Sequence, residues 1–290
     1  MLLYNYLIKR NTMDKILNKE FRCLNYGFIR LVDFMGDDAA IVQAARTSYG
    51  KGTKSVSEDK NLIRYLMRNQ HTSPFEMVEF KFHIKLPIFV ARQWIRHRTA
   101  SVNEYSGRYS EMPDEFYIPD NNTIKKQSVD NKQARANTGF SDIYTGEVIQ
   151  KMTSTQDNIF QEYKEFVNNG MAREIARINL PLSIYTEWYW KIDLHNLFHF
   201  LKLRLDKHAQ YEIRVYAEII ADILKQCVPY SWEAFEDYIL NAITFSEPEL
   251  KILKKIINSN HKITGKICID AGLGKSETKE FLDKLKNITG

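Results

Sequence analysis

A stretch of strict alternation between apolar and polar residues constrains this fold most. In VEFKFHIKL, residues 78–86, apolar side chains stand at every even position and polar or charged ones at every odd position. Successive side chains of a β-strand point to opposite faces of its sheet, so the pattern predicts a strand with one face in the core and one in water. His83, on the wet face, is given no role. Pro87 follows and predicts the start of a helix, because proline suits a first helical position.

Further strands and helices are predicted on both sides of this strand. GFIRLVDFMG (27–36) is typical of a strand that ends in a glycine turn. Asp37 or Asp38 can then cap a helix over AAIVQAAR (39–46), because its carboxylate accepts hydrogen bonds from free backbone N–H groups. PIFVARQWIRHR (87–98) is predicted as a helix that carries three basic residues at its C-terminal end.

Composition along the chain suggests a central domain with two extensions. Residues 1–25 lack strong periodicity and are expected to be an N-terminal extension. Residues 26–240 are the expected catalytic domain, interrupted by a polar insertion over about 119–150 that predicts a long loop or partly disordered segment. Residues 245–290 form a Lys-rich C-terminal extension.

Charge and cysteine content narrow the class of protein. The 290 residues include 41 Lys and Arg against 36 Asp and Glu, a formal net charge of +5. This mild charge fits an enzyme of anionic metabolites and does not by itself indicate a nucleic-acid-binding protein. Cys23, Cys227 and Cys268 lack the paired spacing of a disulfide framework or a zinc site. No stretch has the pattern of a signal peptide or of a membrane span, so we expect a cytoplasmic protein with no metal, no nucleic-acid partner and no membrane partner.

One segment, RHRTASVNEYSGRYS (96–110), is unusually rich in hydrogen-bonding groups. Basic residues at a helix C-terminus often only complement the helix dipole, worth up to about 1 kcal/mol each. The residues that follow show neither helical nor strand periodicity and add serines, an asparagine, a glutamate and a further arginine. Arginines bind planar anions through two parallel hydrogen bonds. The whole segment therefore suits a phosphate together with a heterocycle better than it suits a solvated surface.

This segment resembles the signature of the flavin-dependent thymidylate synthases, Arg-His-Arg, seven residues and then Ser, here Arg96, His97, Arg98 and Ser106. Other family blocks are matched in the same order, so that the likeness covers roughly residues 26–240. These blocks are AARTSYGKG (44–52), HTSPFE (71–76), ARQWIRHR (91–98), AREIARINLPLSIYTEWYW (172–190) and LFHFLKLRLDKHAQYEIR (197–214).

The resemblance implies a fold, an activity and a set of partners. The fold would be α/β of the α+β kind, with a central, mostly antiparallel sheet and flanking helices. The activity would be the methylation of dUMP to dTMP, with methylenetetrahydrofolate as carbon donor and FAD, reduced by NADPH, as the source of hydride. The family's homotetramer would place each site between subunits.

The resemblance also implies which residues bind dUMP. Arg177 is the expected catalytic residue, which polarises the uracil ring where negative charge develops. From the residues alone, Arg177 could instead be an ordinary helix-surface arginine four positions from Arg173. Ser106 is expected to bind and not to act as nucleophile, since no general base lies near it in sequence. The expected dUMP-binding residues are Gln93, Arg96, Glu104, Ser106, Gly107, Arg108, Arg177 and Arg204.

A second set would bind FAD, through cations for the pyrophosphate and for the flavin edge that becomes anionic on reduction. The expected FAD-binding residues are Ser48, His71, Ser73, Arg96, His97, Arg98, Asn103, Glu104, Asp193, His195, His199 and Leu203. His71 could equally be a surface residue at a helix end. His195 and His199 stand where many relatives carry Arg and Asn, which predicts a weaker hold on FAD. Their i, i+4 spacing would also allow them to bind a metal ion, but no third ligand has suitable spacing.

Two other functions fit parts of the sequence. A nucleic-acid-binding module would be basic and aromatic, and it would show steep salt dependence and no bound chromophore. A flavoprotein acting on another pyrimidine nucleotide would share the scaffold and the phosphate-binding residues.

Overall fold

The computed structural model describes residues 16–47, 56–129, 132–257 and 264–289. Their contacts divide the chain between Leu240 and Asn241 into two compact units.

The first unit contains a five-stranded antiparallel sheet in the order β1-β2-β3-β7-β4 and a separate two-stranded hairpin, β5-β6. The strands are β1 Glu20–Cys23, β2 Gly27–Met35, β3 Glu79–Pro87, β4 Ser101–Glu104, β5 Lys125–Gln127, β6 Arg135–Gly139 and β7 Tyr185–Asp193.

Helices flank this sheet, as the expected fold class requires. They are α1 Asp38–Thr47, α2 Val56–Arg68, α3 Ile88–Trp94, α4 Asp142–Asn168, α5 Arg173–Ala176, α6 Leu194–Arg204, α7 Tyr211–Cys227 and α8 Pro229–Phe235. Short 3-10 turns cover Ser73–Met77 and Arg177–Asn179, and a π-turn covers Glu236–Leu240.

The alternating stretch forms β3, and its apolar residues are fully buried from Val78 to Leu86. The prediction of a core-facing strand is therefore confirmed. The other face is half-buried and not simply wet. His83 lies within 2.9 Å of Glu187 through Nε2 and Oε2, and its ring stacks on Tyr189 at 4.9 Å. Long neighbours on β7 cover this face because the two strands pair along their whole length.

The glycine turn and the helix cap after β2 are also as predicted. Gly36 has φ +82°, a left-handed conformation that glycine adopts without steric cost. Oδ1 of Asp37 accepts hydrogen bonds from the N–H groups of Ala39 at 2.8 Å and Ala40 at 3.2 Å. Asp37 therefore caps α1. Asp38 instead accepts hydrogen bonds from Tyr230 and Ser231, so that it ties the first turn of α8 to α1.

Trp94, the last residue of α3, joins the elements that later form the site. Its side chain is 1 % exposed, and its ring lies 5.1 Å from that of Trp190 on β7. It lies 4.6 Å from the ring of Phe200 on α6 and 5.9 Å from that of Tyr216 on α7. This aromatic contact set fixes where α3 ends relative to β7, α6 and α7.

Two local predictions around the motif segment are wrong. The helix ends at Trp94, so residues 96–98 lie in the turn after it and not in its last turn. Ser101–Glu104, expected to be irregular, is strand β4. Its residues are exposed on both faces because β4 is the edge strand of the sheet, and its pairing partner is the distant β7. Because neither face of β4 is buried, its sequence shows no alternation of apolar and polar residues.

The polar insertion is more ordered than a long loop. It contains the hairpin β5-β6, and α4 already begins at Asp142, with Ser141 as its N-cap. The described part of the N-terminal segment also belongs to the sheet, since β1 pairs with β2. The two hairpin strands were missed because they are short and mostly polar, and β1 was missed because its four residues are too few to show a periodicity.

The second unit consists of helices α9 Glu247–Ile257, α10 Gly265–Asp270 and α11 Lys275–Thr289. Across the described ranges of both units, no helix combines the length and the apolar character that crossing a bilayer requires.

Replacement of Trp94 by alanine should destabilise the first unit by about 3–5 kcal/mol, because it removes a fully buried aromatic ring and leaves a cavity. Urea denaturation followed by tryptophan fluorescence and circular dichroism measures this loss. Ile143→Ala, at a position that is 79 % exposed on α4, serves as control and should change stability by less than about 0.5 kcal/mol. Equal effects of the two substitutions would contradict the role given to Trp94.

Candidate active site

The turn after α3 and one face of α6 enclose a basic groove of about 290 Å³. The turn forms because the N–H of His97 bonds to the carbonyl of Trp94 at 3.0 Å, directly after the buried tryptophan. The groove is lined by Arg96, His97, Arg98, Thr99, Ile192, Asn196, His199, Leu203 and Arg204. Six predicted site residues therefore meet here, from two segments about a hundred positions apart in sequence.

Among the residues that the structure describes, no carboxylate lines the basic groove, although three guanidinium groups and two imidazoles do. Arg204 donates from Nε to Nε2 of His97 at 3.1 Å and from Nη2 to the carbonyl oxygen of Gln93 at 3.4 Å. Burial lowers the pKa of Arg204 because desolvation disfavours the charged form. The groove thus has a positive potential that these side chains do not neutralise themselves, which suits an anionic ligand.

His97 is neutral in this arrangement. Burial lowers its pKa to about 4, and the positive charges of Arg204 and then of His199 contribute further. Since Nε2 accepts the hydrogen bond from Arg204, the ring proton of neutral His97 is on Nδ1. The ring packs edge-to-face on Phe200 at 4.9 Å and on His199 at 5.9 Å. Its orientation is therefore set from both sides.

Arg177 belongs to a second cluster, formed with the loop that follows β4. An alanine-type Cβ on buried Gly107 would lie 3.1 Å from Nη1 of Arg177 and 2.7 Å from the sulfur of Met112. The glycine thus lets the arginine lie directly against the loop backbone. Nε of Arg108 lies 3.1 Å from Oε2 of Glu174, and both side chains are exposed. Neither Arg177 nor Arg108 lines the basic groove.

The predicted residues of β4 lie at the edge of the sheet. Glu104 accepts a hydrogen bond from the hydroxyl of Thr186 at 2.8 Å, and Asn103 pairs with Tyr189 of β7. Both are exposed. Ser106, just beyond the strand, accepts a long hydrogen bond of 3.4 Å from the backbone N–H of Arg108.

A second cavity of about 320 Å³ lies along the adjacent face of α6. His71 and His195 line it, and His199 lines both this aromatic cavity and the basic groove. Flat apolar walls come from Phe75, Phe198 and Phe235.

Two further predicted residues lie outside both cavities. Ser73 is exposed at the start of a 3-10 turn, and Asp193 caps α6 by accepting a hydrogen bond from the N–H of Asn196 at 2.9 Å.

Ser48, also predicted to bind FAD, lies outside the described residues.

Several residues near the site were not predicted from the sequence. Asn196 lines the basic groove, and Lys202 lines the aromatic cavity. Helical spacing could have found both, because Asn196 lies three and seven positions before His199 and Leu203, and Lys202 lies seven after His195. Within the described ranges, no three His, Cys, Asp or Glu side chains are grouped as a metal site requires.

Comparison with known proteins places the chain among related enzymes. The family model "Thymidylate synthase complementing protein" matches residues 30–230. A flavin-dependent thymidylate synthase of Wolbachia pipientis wMel is 53% identical over 273 residues, which is 94% of either chain. One from Treponema denticola is 54% identical over 271 residues, 93% of this chain and 98% of that one.

A solved structure shows the same fold. The UMP/dUMP methylase PolB from Streptomyces cacaoi, bound with 5-Br dUMP, superimposes with a TM-score of 0.69 and 33% identity. The match covers 76% of this chain and 99% of that one. Together with the family model and the two relatives, it shows that this chain belongs to the flavin-dependent thymidylate synthase family.

Proposed function

We propose that this protein methylates dUMP to dTMP, with methylenetetrahydrofolate as carbon donor and FAD, reduced by NADPH, as hydride source. The observation that carries the proposal is the basic groove, where three arginines and His97 of the family motifs meet His199, and where no described carboxylate lies. Relatives at 53% and 54% identity bear the name of this activity. The solved neighbour was crystallised with an analogue of dUMP.

The residues around α6 fit FAD. A pyrophosphate requires cations that are not already paired, and Arg96 and Arg98 supply them in the basic groove. The neighbouring aromatic cavity offers a flat apolar surface on which a ring system can stack, with His71 and His195 as polar groups at its wall. When bound, FAD supplies the hydride that reduces the transferred carbon to a methyl group.

Arg177 is the proposed catalytic residue. Methylation at carbon 5 requires this ring carbon to become nucleophilic, so negative charge develops on the uracil carbonyl oxygens. A guanidinium group held against the loop at Gly107 can donate hydrogen bonds to such an oxygen. Arg108 and Arg204 are proposed to bind the phosphate. Among the described residues no histidine or carboxylate bonds to the hydroxyl of Ser106, which supports a binding role and not a nucleophilic one.

We further propose a cytoplasmic homotetramer whose sites are shared between subunits. In one chain, Arg108 and Arg177 form a cluster apart from the basic groove. Strand β4 presents an open sheet edge with exposed Val102, followed by exposed Tyr105. A neighbouring subunit on this edge would bring the two groups of residues to one nucleotide. On the same ground we propose that Asn103 and Glu104, on this edge strand, bind FAD.

Purified protein with FAD should oxidise NADPH, and dUMP should stimulate that reaction. dTMP should form only when methylenetetrahydrofolate is present, and chromatography of the products measures it. UMP is tested in parallel, because the solved neighbour is a methylase of both UMP and dUMP. A protein that holds no yellow chromophore and forms no dTMP would refute the proposed function.

Replacement of Arg177 by alanine should lower kcat by roughly 10²–10³-fold, since it removes a donor from the oxygen on which charge develops. Steady-state dTMP formation measures the loss, and circular dichroism checks the fold. Arg173→Ala, an exposed arginine four positions earlier, is the matched control and should retain activity. If the two variants turned over dUMP equally fast, the catalytic role of Arg177 would be wrong.

The lowered pKa of His97 predicts a pH dependence of stability. The unfolded chain binds a proton at this residue below about 6.5, whereas the native state binds it only near 4. Between these two pKa values the unfolded state binds more protons than the native state. The contribution of His97 to the free energy of unfolding is therefore complete above about pH 6.5 and is lost as the pH falls toward about 4. His97→Gln should therefore lose less stability than wild type between about pH 7 and about pH 5 in urea denaturation. Identical pH slopes would show that His97 is not held neutral.

A further inference from the structure

A chain of hydrogen bonds runs from the polar hairpin to the end of α3, directly behind the basic groove. Arg135 on β6 forms an ion pair with Glu212 in the first turn of α7. Gln210, the residue before α7, donates from Nε2 to Oε2 of Glu212 at 2.9 Å. Gln93 on α3 donates from its own Nε2 to Oε1 of Gln210. The carbonyl of Gln93 then accepts a hydrogen bond from Arg204.

Glu212 is a buried anion. Its side chain is 1 % exposed, and beyond Arg135 and Gln210 it accepts a hydrogen bond from the hydroxyl of Tyr117 at 2.8 Å. Burial by itself would raise its pKa, but the hydrogen bond and charge of Arg135, with the donors Tyr117 and Gln210, outweigh burial and lower the pKa. The carboxylate is therefore ionised and can only accept hydrogen bonds.

This ionised carboxylate sets the direction of each hydrogen bond that follows. Because Glu212 only accepts, the amide nitrogen of Gln210 must face it, and the amide oxygen of Gln210 must face Gln93. Gln93 in turn must present its nitrogen to Gln210. Its Oε1 accepts no hydrogen bond within the described part of the chain and remains an acceptor.

We propose that Glu212 is a positioning residue that, acting through Gln210, fixes the side-chain amide of Gln93 in one of its two orientations toward the pyrimidine nucleotide. In this orientation Gln93 offers its oxygen to a donor of the nucleotide, a sugar hydroxyl or a ring N–H. The inference rests on the proposed function, which makes Gln93 a contact of dUMP. It also gives the polar hairpin a role, since Arg135 supplies the charge that keeps Glu212 buried and ionised.

Gln210 provides the cleanest point at which to break the chain. It is the N-cap residue of α7, yet its side chain makes no capping hydrogen bond, and it is only half-buried. Gln210→Ala therefore removes the link between Glu212 and Gln93 while the Arg135–Glu212 ion pair remains. Glu212→Gln is the second variant, because a carboxamide can donate as well as accept and no longer sets one direction. Gln226→Ala, exposed on the same helix, is the matched control.

The test measures the Kd of dUMP by titration calorimetry on FAD-reconstituted protein, for the single variants and for pairs with Gln93→Ala. Gln93→Ala, Gln210→Ala and Glu212→Gln should each weaken binding about five- to tenfold, the factor for the loss of one hydrogen bond. Gln226→Ala should bind as wild type does. In the Gln93→Ala background, Gln210→Ala and Glu212→Gln should cause no further loss, because both act through Gln93.

The outcomes separate this inference from the proposed function. Wild-type protein that binds no dUMP would refute the proposed function and the inference with it. If wild type binds dUMP but Gln210→Ala and Glu212→Gln bind equally well, the inference alone is wrong. Further weakening in the Gln93→Ala background, by the same factors as in wild type, would show independent structural effects and would also overturn it. The same holds if Gln93→Ala does not change the Kd.

Discussion

The basic groove depends on the packing of one tryptophan. Trp94 ends α3 inside the core, against Trp190 of β7 and Phe200 of α6. The chain must then leave the core in a turn, and this turn carries the Arg-His-Arg motif out to face α6. The position of the three basic residues is therefore decided by apolar contacts made just before them. Polar residues could not fix the turn as firmly in water, because each exposed hydrogen bond competes with solvent.

Burying unpaired cations in the basic groove costs free energy, and an anionic ligand bound there offsets that cost. Arg204 and His97 lie partly buried and close together, and among the described residues no carboxylate lines the groove. Burial lowers the pKa of Arg204, and burial together with like charge lowers the pKa of His97. A structural surface would pair arginines such as Arg204 with acids, as Arg64 pairs with Asp237 elsewhere in the protein. Sites that bind anions instead leave their cations unpaired in the free state. The chain of hydrogen bonds from Glu212 adds to this site, since it holds in one orientation the side-chain amide of Gln93, whose backbone carbonyl accepts a hydrogen bond from Arg204.

Sequence patterns predicted the parts of the fold that depend on neighbours along the chain. The alternation of β3, the glycine turn at Gly36 and the cap at Asp37 were all correct because each is a local property of the backbone. The end of α3, strand β4 and the hairpin β5-β6 were missed because their partners are remote or their residues polar. Within the site, motif resemblance led to Arg96, His97 and Arg204. Gln210 and Glu212 lie in the matched block 197–214, but the sequence assigned them no role, because their importance comes from the residues they contact.

The sequence by itself determined the family, the types of side chain available and the strand on which the sheet is built. Those features follow from the order of residues, which motifs and periodicity report directly. Only the tertiary structure decided which cations share a groove, that His97 is neutral, and that Gln93 has one amide orientation. These properties depend on burial and on distances between segments about a hundred residues apart, and neither exists until the chain has folded.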